Sequence, residues 1–184
     1  MGARYCSILM NIKNRKELHY LINDHKCKIG CELGVAKGRY SKYLVENCNF
    51  DQFFCIDSWA SRGHNTEEYK LACNNLKQFK NITIIRKNFN NALSMFKDNF
   101  FDFIYVDGYA HTGNNFIFEW YSKLKNNGIY AGHDYHIHFE KNVHNVNTLC
   151  KKYNKQVNLT GEECNYNSNQ NSRPLVLPSW WFIK

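Results

Sequence analysis

Cys27-Lys28-Ile29-Gly30-Cys31-Glu32-Leu33-Gly34-Val35-Ala36-Lys37-Gly38-Arg39-Tyr40-Ser41 is the stretch that decides the fold. Cys27 to Leu33 is a short apolar run closed by glycine, the pattern of a buried strand. Gly34 and Gly38, with the small Ala36 between them, let the backbone turn tightly and approach a ligand. Glu32 sets a carboxylate at the strand end. The spacing is neither G-x-G-x-x-G nor G-x-x-x-x-G-K-[ST], so the turn is neither a dinucleotide fingerprint nor a P-loop.

Outward from this turn, strand-like and helix-like segments alternate. Upstream, Asn14 to Lys26 carries Leu18, Leu21 and Ile22 as a short helical stripe. Downstream, Ser41 to Cys48 reads as a helix, Phe53 to Asp57 as a second strand, Thr66 to Phe79 as a helix and Ile82 to Arg86 as a third strand. Asn91 to Phe96 is a short helix and Phe101 to Val106 a fourth strand ending at Asp107. Asn115 to Leu124 is a helix, Gly128 to Gly132 a fifth strand and Lys141 to Tyr153 a helix. Gln156 to Leu159 and Ser179 to Ile183 are the last two strands. Strands that are nearly continuous in apolar residues and separated by helices predict an α/β fold with a parallel sheet covered on both faces. Ligands of such sheets bind beyond the carboxyl ends of the strands, so chemistry is sought there.

The 184 residues, 43% hydrophobic and 22% charged, predict a single domain over 1–184 and exclude disordered and collagen-like classes. No apolar run approaches the roughly 20 residues of a membrane span, and the first residues lack a signal-peptide core. Eight scattered cysteines without a CxxC pair read as reduced thiols, which with the absent signal predicts a cytoplasmic protein without a membrane partner. The net charge of +8 is compatible with nucleic acid, but Lys and Arg are spread along the chain with no basic tail, so a small-molecule substrate is favoured. A homodimer is compatible with the sequence.

Two constellations carry chemistry. Twenty-three residues after Gly34 the second strand ends in Asp57, whose carboxylate can accept hydrogen bonds from both hydroxyls of a ribose. Together with the glycine turn this favours a nucleoside-containing cofactor. The second lies at the ends of strands four and five: Asp107, His111, His133, Asp134 and, further on, His136 and His138. Carboxylates and imidazoles converging on one edge can bind a divalent cation or supply a general base for a hydroxyl. Trp180-Trp181-Phe182 reads as core of the last strand.

ELGVAKGRYS, FFCIDSW, FDFIYVDGYAH, LKNNGIYAGHDY and SWWFIK, in that order and spacing, resemble the motifs of class I S-adenosylmethionine-dependent methyltransferases, in the branch that O-methylates small molecules and sugars. The resemblance implies a Rossmann-like, seven-stranded, mostly parallel sheet with an antiparallel last strand and S-adenosylmethionine as cofactor. It places Glu32, Gly34, Ala36 and Gly38 around the methionine part, Asp57 at the ribose, and Ser58 and Trp59 or Asn88 and Phe89 at the adenine. Asp107 adjoins the cofactor, and Asp107, His133 and Asp134 become the catalytic candidates. In several relatives the positions matching Asp107 and Asp134 hold Mg²⁺. His133 stands where some of them have another Asp, and His111 lies one residue later than the D-G-x-H spacing. The resulting expectation is an O-methyltransferase, with an RNA methyltransferase and a non-catalytic methyltransferase-like domain as alternatives.

Overall fold

The computed structural model describes residues 11–60, 65–108, 116–161 and 177–184. A 3-10 turn, Arg15–Glu17, is capped by the Asn14 side chain and leads into α1 (Leu18–Asp24). Then follow β1 (Ile29–Leu33), α2 (Arg39–Asn47), β2 (Gln52–Asp57), α3 (Thr66–Leu76), β3 (Ile82–Arg86), α4 (Phe89–Leu93) and β4 (Phe101–Val106). The chain continues as α5 (Phe116–Lys123), β5 (Leu124–Gly132), a 3-10 turn at Ile137–Phe139, α6 (Glu140–Lys152), β6 (Asn158–Leu159) and β7 (Trp180–Ile183).

The seven strands form one sheet in the order β3-β2-β1-β4-β5-β7-β6. β1 to β5 pair in parallel, and β7 runs antiparallel to both β5 and β6. Side-chain alternation along the central strands divides the core in two. Cys31, Leu33, Ile104, Val106, Tyr130, Trp180 and Phe182 pack with α4, α5 and α6. Phe53, Cys55, Phe103, Tyr105, Ile129 and Trp181 face α1, α2 and α3. The three aromatic residues at the start of β7 are therefore core, as their sequence pattern predicts. Among the described residues no helix is long and apolar enough to cross a membrane.

Boundaries differ from the sequence expectation at two places that bear on the sheet. The helix expected to run to Leu124 stops at Lys123, and Leu124 already pairs with Phe101 as the first residue of β5. The polar Lys125-Asn126-Asn127 stretch falls between the expected helix and the expected fifth strand. It is an irregularity within the strand, where the register to β4 shifts and Asn127 takes φ 64. The helix expected from Asn91 starts at Phe89, because the Asn88 side chain accepts the Asn91 N–H and caps it.

β1 and β4 are anchored at the edge opposite the strands' carboxyl ends by Asp102. Its Oδ2 accepts the N–H groups of Lys28 and Ile29 at 2.9 and 2.8 Å, and its Oδ1 meets Lys125 Nζ at 2.7 Å. That clamp fixes the register of the two strands whose other ends carry the acidic residues described next.

Candidate active site at the carboxyl edge of the sheet

The loop after β1 is built on glycine for a reason internal to the protein. Gly34 has φ +97, and a Cβ there would collide with the Asp107 carbonyl oxygen and lie 2.8 Å from the Gly108 nitrogen. The loops leaving β1 and β4 thus cross with backbone against backbone. Ala36 (φ 48) and Gly38 (φ +73) complete the turn, and a Cβ on Gly38 would come 3.0 Å from Leu76 on α3. Non-glycine residues with positive φ recur at this edge, at Trp59 after β2 and Asp134 after β5. Such strain concentrates where a site must be shaped.

Asp57 holds this loop. Its Oδ2 accepts the N–H groups of Val35 (2.9 Å) and Ala36 (3.1 Å), and its Oδ1 accepts that of Trp59 (2.9 Å). A carboxylate offers about four acceptor positions, and three are taken. The sequence expectation that Asp57 meets both hydroxyls of a ribose needs correction, since one lone pair remains for an outside donor.

The four residues considered for an adenine divide in two. Ser58 is half-buried and accepts the Ala60 N–H at 3.3 Å; Asn88 is exposed and caps α4. The Trp59 ring is buried, packs edge-on to Tyr69 with centroids 5.0 Å apart, and donates its indole N–H to the Ala36 carbonyl at 2.7 Å. It supports the glycine loop from behind. Phe89 is likewise core, 5.0 Å from the Phe116 ring and directly beneath Gly108. Neither ring presents a free face to a base, because the pattern that made them look like stacking residues is satisfied by core packing.

At the inner end of the crevice Glu32 is 1% exposed and accepts the Ser41 hydroxyl on Oε2. Burial pushes its carboxyl up to about 8, with the Ser41 hydrogen bond opposing and the neighbouring Asp107 adding to the rise. Asp107 also lies above the usual carboxylate range because it is desolvated, with His133 and Arg15 pulling it down. Arg15 is the residue that sequence reading missed. Its Nη1 donates to Asp107 Oδ2 at 2.9 Å, its guanidinium lies 4.8 Å from the centre of the Tyr40 ring, and its carbonyl accepts the Tyr40 hydroxyl at 2.7 Å.

On its other oxygen Asp107 faces His133, with Oδ1 to Nδ1 at 3.7 Å, and His133 Nδ1 lies 2.9 Å from Asp134 Oδ1. The side-chain amide of Asn142 on α6 donates to the carbonyls of His133 (2.9 Å) and Asp134 (3.0 Å) and fixes the turn in which Asp134 has φ 58. Asp107, His133 and Asp134 each offer a donor atom within 4.8 Å of the others, an arrangement able to hold a metal ion. His136 and His138 pack against each other with tilted rings, centroids 4.8 Å apart, and are not part of that group; His111 lies outside the described residues.

A seven-stranded sheet with one antiparallel strand, a glycine turn after β1 and an acidic end to β2 defines the class I methyltransferase architecture. A family model described as a methyltransferase domain matches residues 29–135, from β1 to the residue after Asp134, and the chain belongs to that family. It is an S-adenosylmethionine-dependent methyltransferase. Among solved structures, a caffeoyl-CoA O-methyltransferase candidate from Staphylococcus aureus superposes with TM-score 0.69 at 20% identity, over 91% of this chain and 80% of that one. An O-methyltransferase from Bacillus cereus in complex with SAH gives 0.67 at 14% identity, over 92% and 80%. A tRNA (m1A58) methyltransferase from Aquifex aeolicus gives 0.63 at 15% identity, over 96% and 73%. At these identities the likeness is one of fold. No curated protein matches the chain in sequence.

Proposed function

We propose that the protein methylates a hydroxyl oxygen of a small molecule, a sugar or sugar-bearing metabolite, in the crevice at the ends of β1, β2, β4 and β5. The observation that carries this reading is the His133–Asp134 pair beside Asp107, an imidazole oriented by one carboxylate at the mouth of an acidic crevice. Donation of Nδ1–H to Asp134 leaves Nε2 as the acceptor, the arrangement a general base for a hydroxyl proton requires. Methyl transfer is an in-line displacement, so the protein's remaining work is to hold acceptor oxygen and methyl carbon in line and exclude water.

S-adenosylmethionine supplies the electrophilic methyl. The residues present suit it: the positive-φ turn from Gly34 to Gly38 leaves room for close approach, Asp57 keeps one lone pair for the ribose, and Asp107 faces the ammonium of the methionine end. Ser58 and Asn88 remain as edge contacts to the base. A divalent ion held by Asp107, His133 and Asp134 would lend Lewis acidity to the acceptor hydroxyl. The donor set of two carboxylates and one imidazole suits a borderline ion such as Mn²⁺ better than Mg²⁺, which favours oxygen alone.

The test is calorimetric titration with S-adenosylmethionine and SAH, with and without Mg²⁺ or Mn²⁺, followed by transfer assays on hydroxylated acceptors. Cofactor binding with turnover that falls at least 100-fold in His133→Ala supports the reading. Full turnover in an Asp107→Ala, His133→Ala double variant refutes the catalytic assignment.

A further inference from the structure

We propose that Arg15 receives the carboxylate of the methionine end of the cofactor, an assignment that rests on reading the crevice as the cofactor site. That end of the molecule is a zwitterion, with an ammonium and a carboxylate on one carbon. The ammonium has a carboxylate to meet, since Asp107 stands at the inner end of the crevice with the buried Glu32 behind it. For the carboxylate a donor is needed, and the obvious source, the backbone of the glycine loop, is largely committed, with only the Lys37 N–H left over inside the turn. The Gly34 N–H bonds to the Ile56 carbonyl, those of Val35 and Ala36 to Asp57, and that of Gly38 to the Val35 carbonyl. Four of the five amides from Gly34 to Gly38 are thus turned to the protein's own acceptors, and one amide alone is no ring of the kind by which such turns capture anions. Lys37, the cation within the loop, is paired with Glu68 on α3 at 3.5 Å.

Arg15 fills the gap. Among the described residues its side chain hydrogen-bonds the Asp107 carboxylate, and it lies in electrostatic reach of Tyr105 and Glu32. A guanidinium carries five N–H donors in a flat fork, so donors remain after this one. The group is also held still. Tyr40 supports its face, the Tyr40 hydroxyl fixes its backbone carbonyl, and the turn that bears it is capped by Asn14 and tied by Glu17 Oε2 to the Lys13 N–H at 2.8 Å. With 38% of the side chain exposed, it is open to a ligand. A bare ion pair of that exposure would add little to stability. A preorganised fork beside an acid is instead matched to a zwitterion, with carboxylate on Arg15 and ammonium on Asp107.

The assignment separates cleanly from a structural role for Arg15 by using a ligand that lacks only the carboxylate. Calorimetry on the full chain compares S-adenosylmethionine with its decarboxylated analogue, which keeps sulfonium and ammonium. Wild-type protein should bind the analogue about 10- to 100-fold more weakly. Arg15→Ala should lose the same factor for S-adenosylmethionine and nothing for the analogue, and Arg15→Lys should recover part of the loss. Equal losses for both ligands, or none for either, overturn the proposal. Should Arg15→Ala fail to fold, the wild-type comparison decides, and equal affinity for the two ligands overturns it. Wild-type protein that binds neither ligand overturns the cofactor reading of the crevice together with this assignment, whereas normal binding with an indifferent Arg15→Ala overturns the assignment alone.

Discussion

Replacing Glu32 by Gln tests the electrostatics of the crevice through stability. In the folded protein burial pushes the Glu32 carboxyl from 4.5 up to about 8, so between those values the folded state keeps a proton that the unfolded chain has lost. Where the folded state binds more protons, unfolding free energy falls as pH rises. The stabilisation is complete below 4.5 and is lost progressively as pH climbs through about 8. At about 1.4 kcal/mol per pH unit, the loss accumulated between pH 5.5 and 8.5 is about 3 kcal/mol. Glutamine is neutral throughout and of the same size, so the variant escapes this slope. Urea unfolding across that range should show the stability of Glu32→Gln relative to wild type improving by about 3 kcal/mol from pH 5.5 to 8.5. A difference that stays constant within about 0.5 kcal/mol would show that Glu32 ionises normally, and would refute the desolvated crevice.

Gly34→Ala should cost about 3 kcal/mol or more, because the methyl meets the Asp107 backbone at φ +97. Gly161→Ala, at φ +98 but with its nearest neighbour 3.6 Å away, should cost only about 1–2 kcal/mol, and comparable losses in urea unfolding would contradict the crossing of the two loops. Asp57→Ala strips the acceptor from three backbone N–H groups and should lower stability by about 2–4 kcal/mol while also weakening SAH binding in calorimetry. A loss of affinity at unchanged stability would assign Asp57 to the ligand alone.

What the sequence discloses here follows from locality. The glycine turn, the acids closing β2 and β4 and the His133-Asp134 pair each sit beside an apolar strand, so periodicity alone places them on one edge. Arg15 was illegible because its partner Asp107 is 92 residues away, and Arg15-Lys16 in sequence is one more pair of dispersed charges. Trp59 and Phe89 misled for the opposite reason. An aromatic residue after a strand looks the same whether its ring faces a ligand or the core, and only the packing against Tyr69 and Phe116 decides. The double use of Asp57 is hidden as well, since backbone donors leave no trace in residue identity.

The Asp102 clamp sets a timetable for synthesis. β1 lies between β2 and β4, yet Asp102 is 74 residues beyond Lys28, the N–H it must capture. Emerging at roughly 5–20 residues per second, the chain leaves one side of β1 unpaired for on the order of 4–15 s. For that interval a strand destined for the centre of the sheet is an apolar edge open to any other strand, in the same chain or a neighbouring one. Until β4 arrives, Gly34 has no backbone to cross and Arg15 no carboxylate to meet. A nascent chain stalled before Asp102 would therefore be both without a cofactor crevice and at its most prone to aggregate, and its safety depends on how quickly the next strand is made.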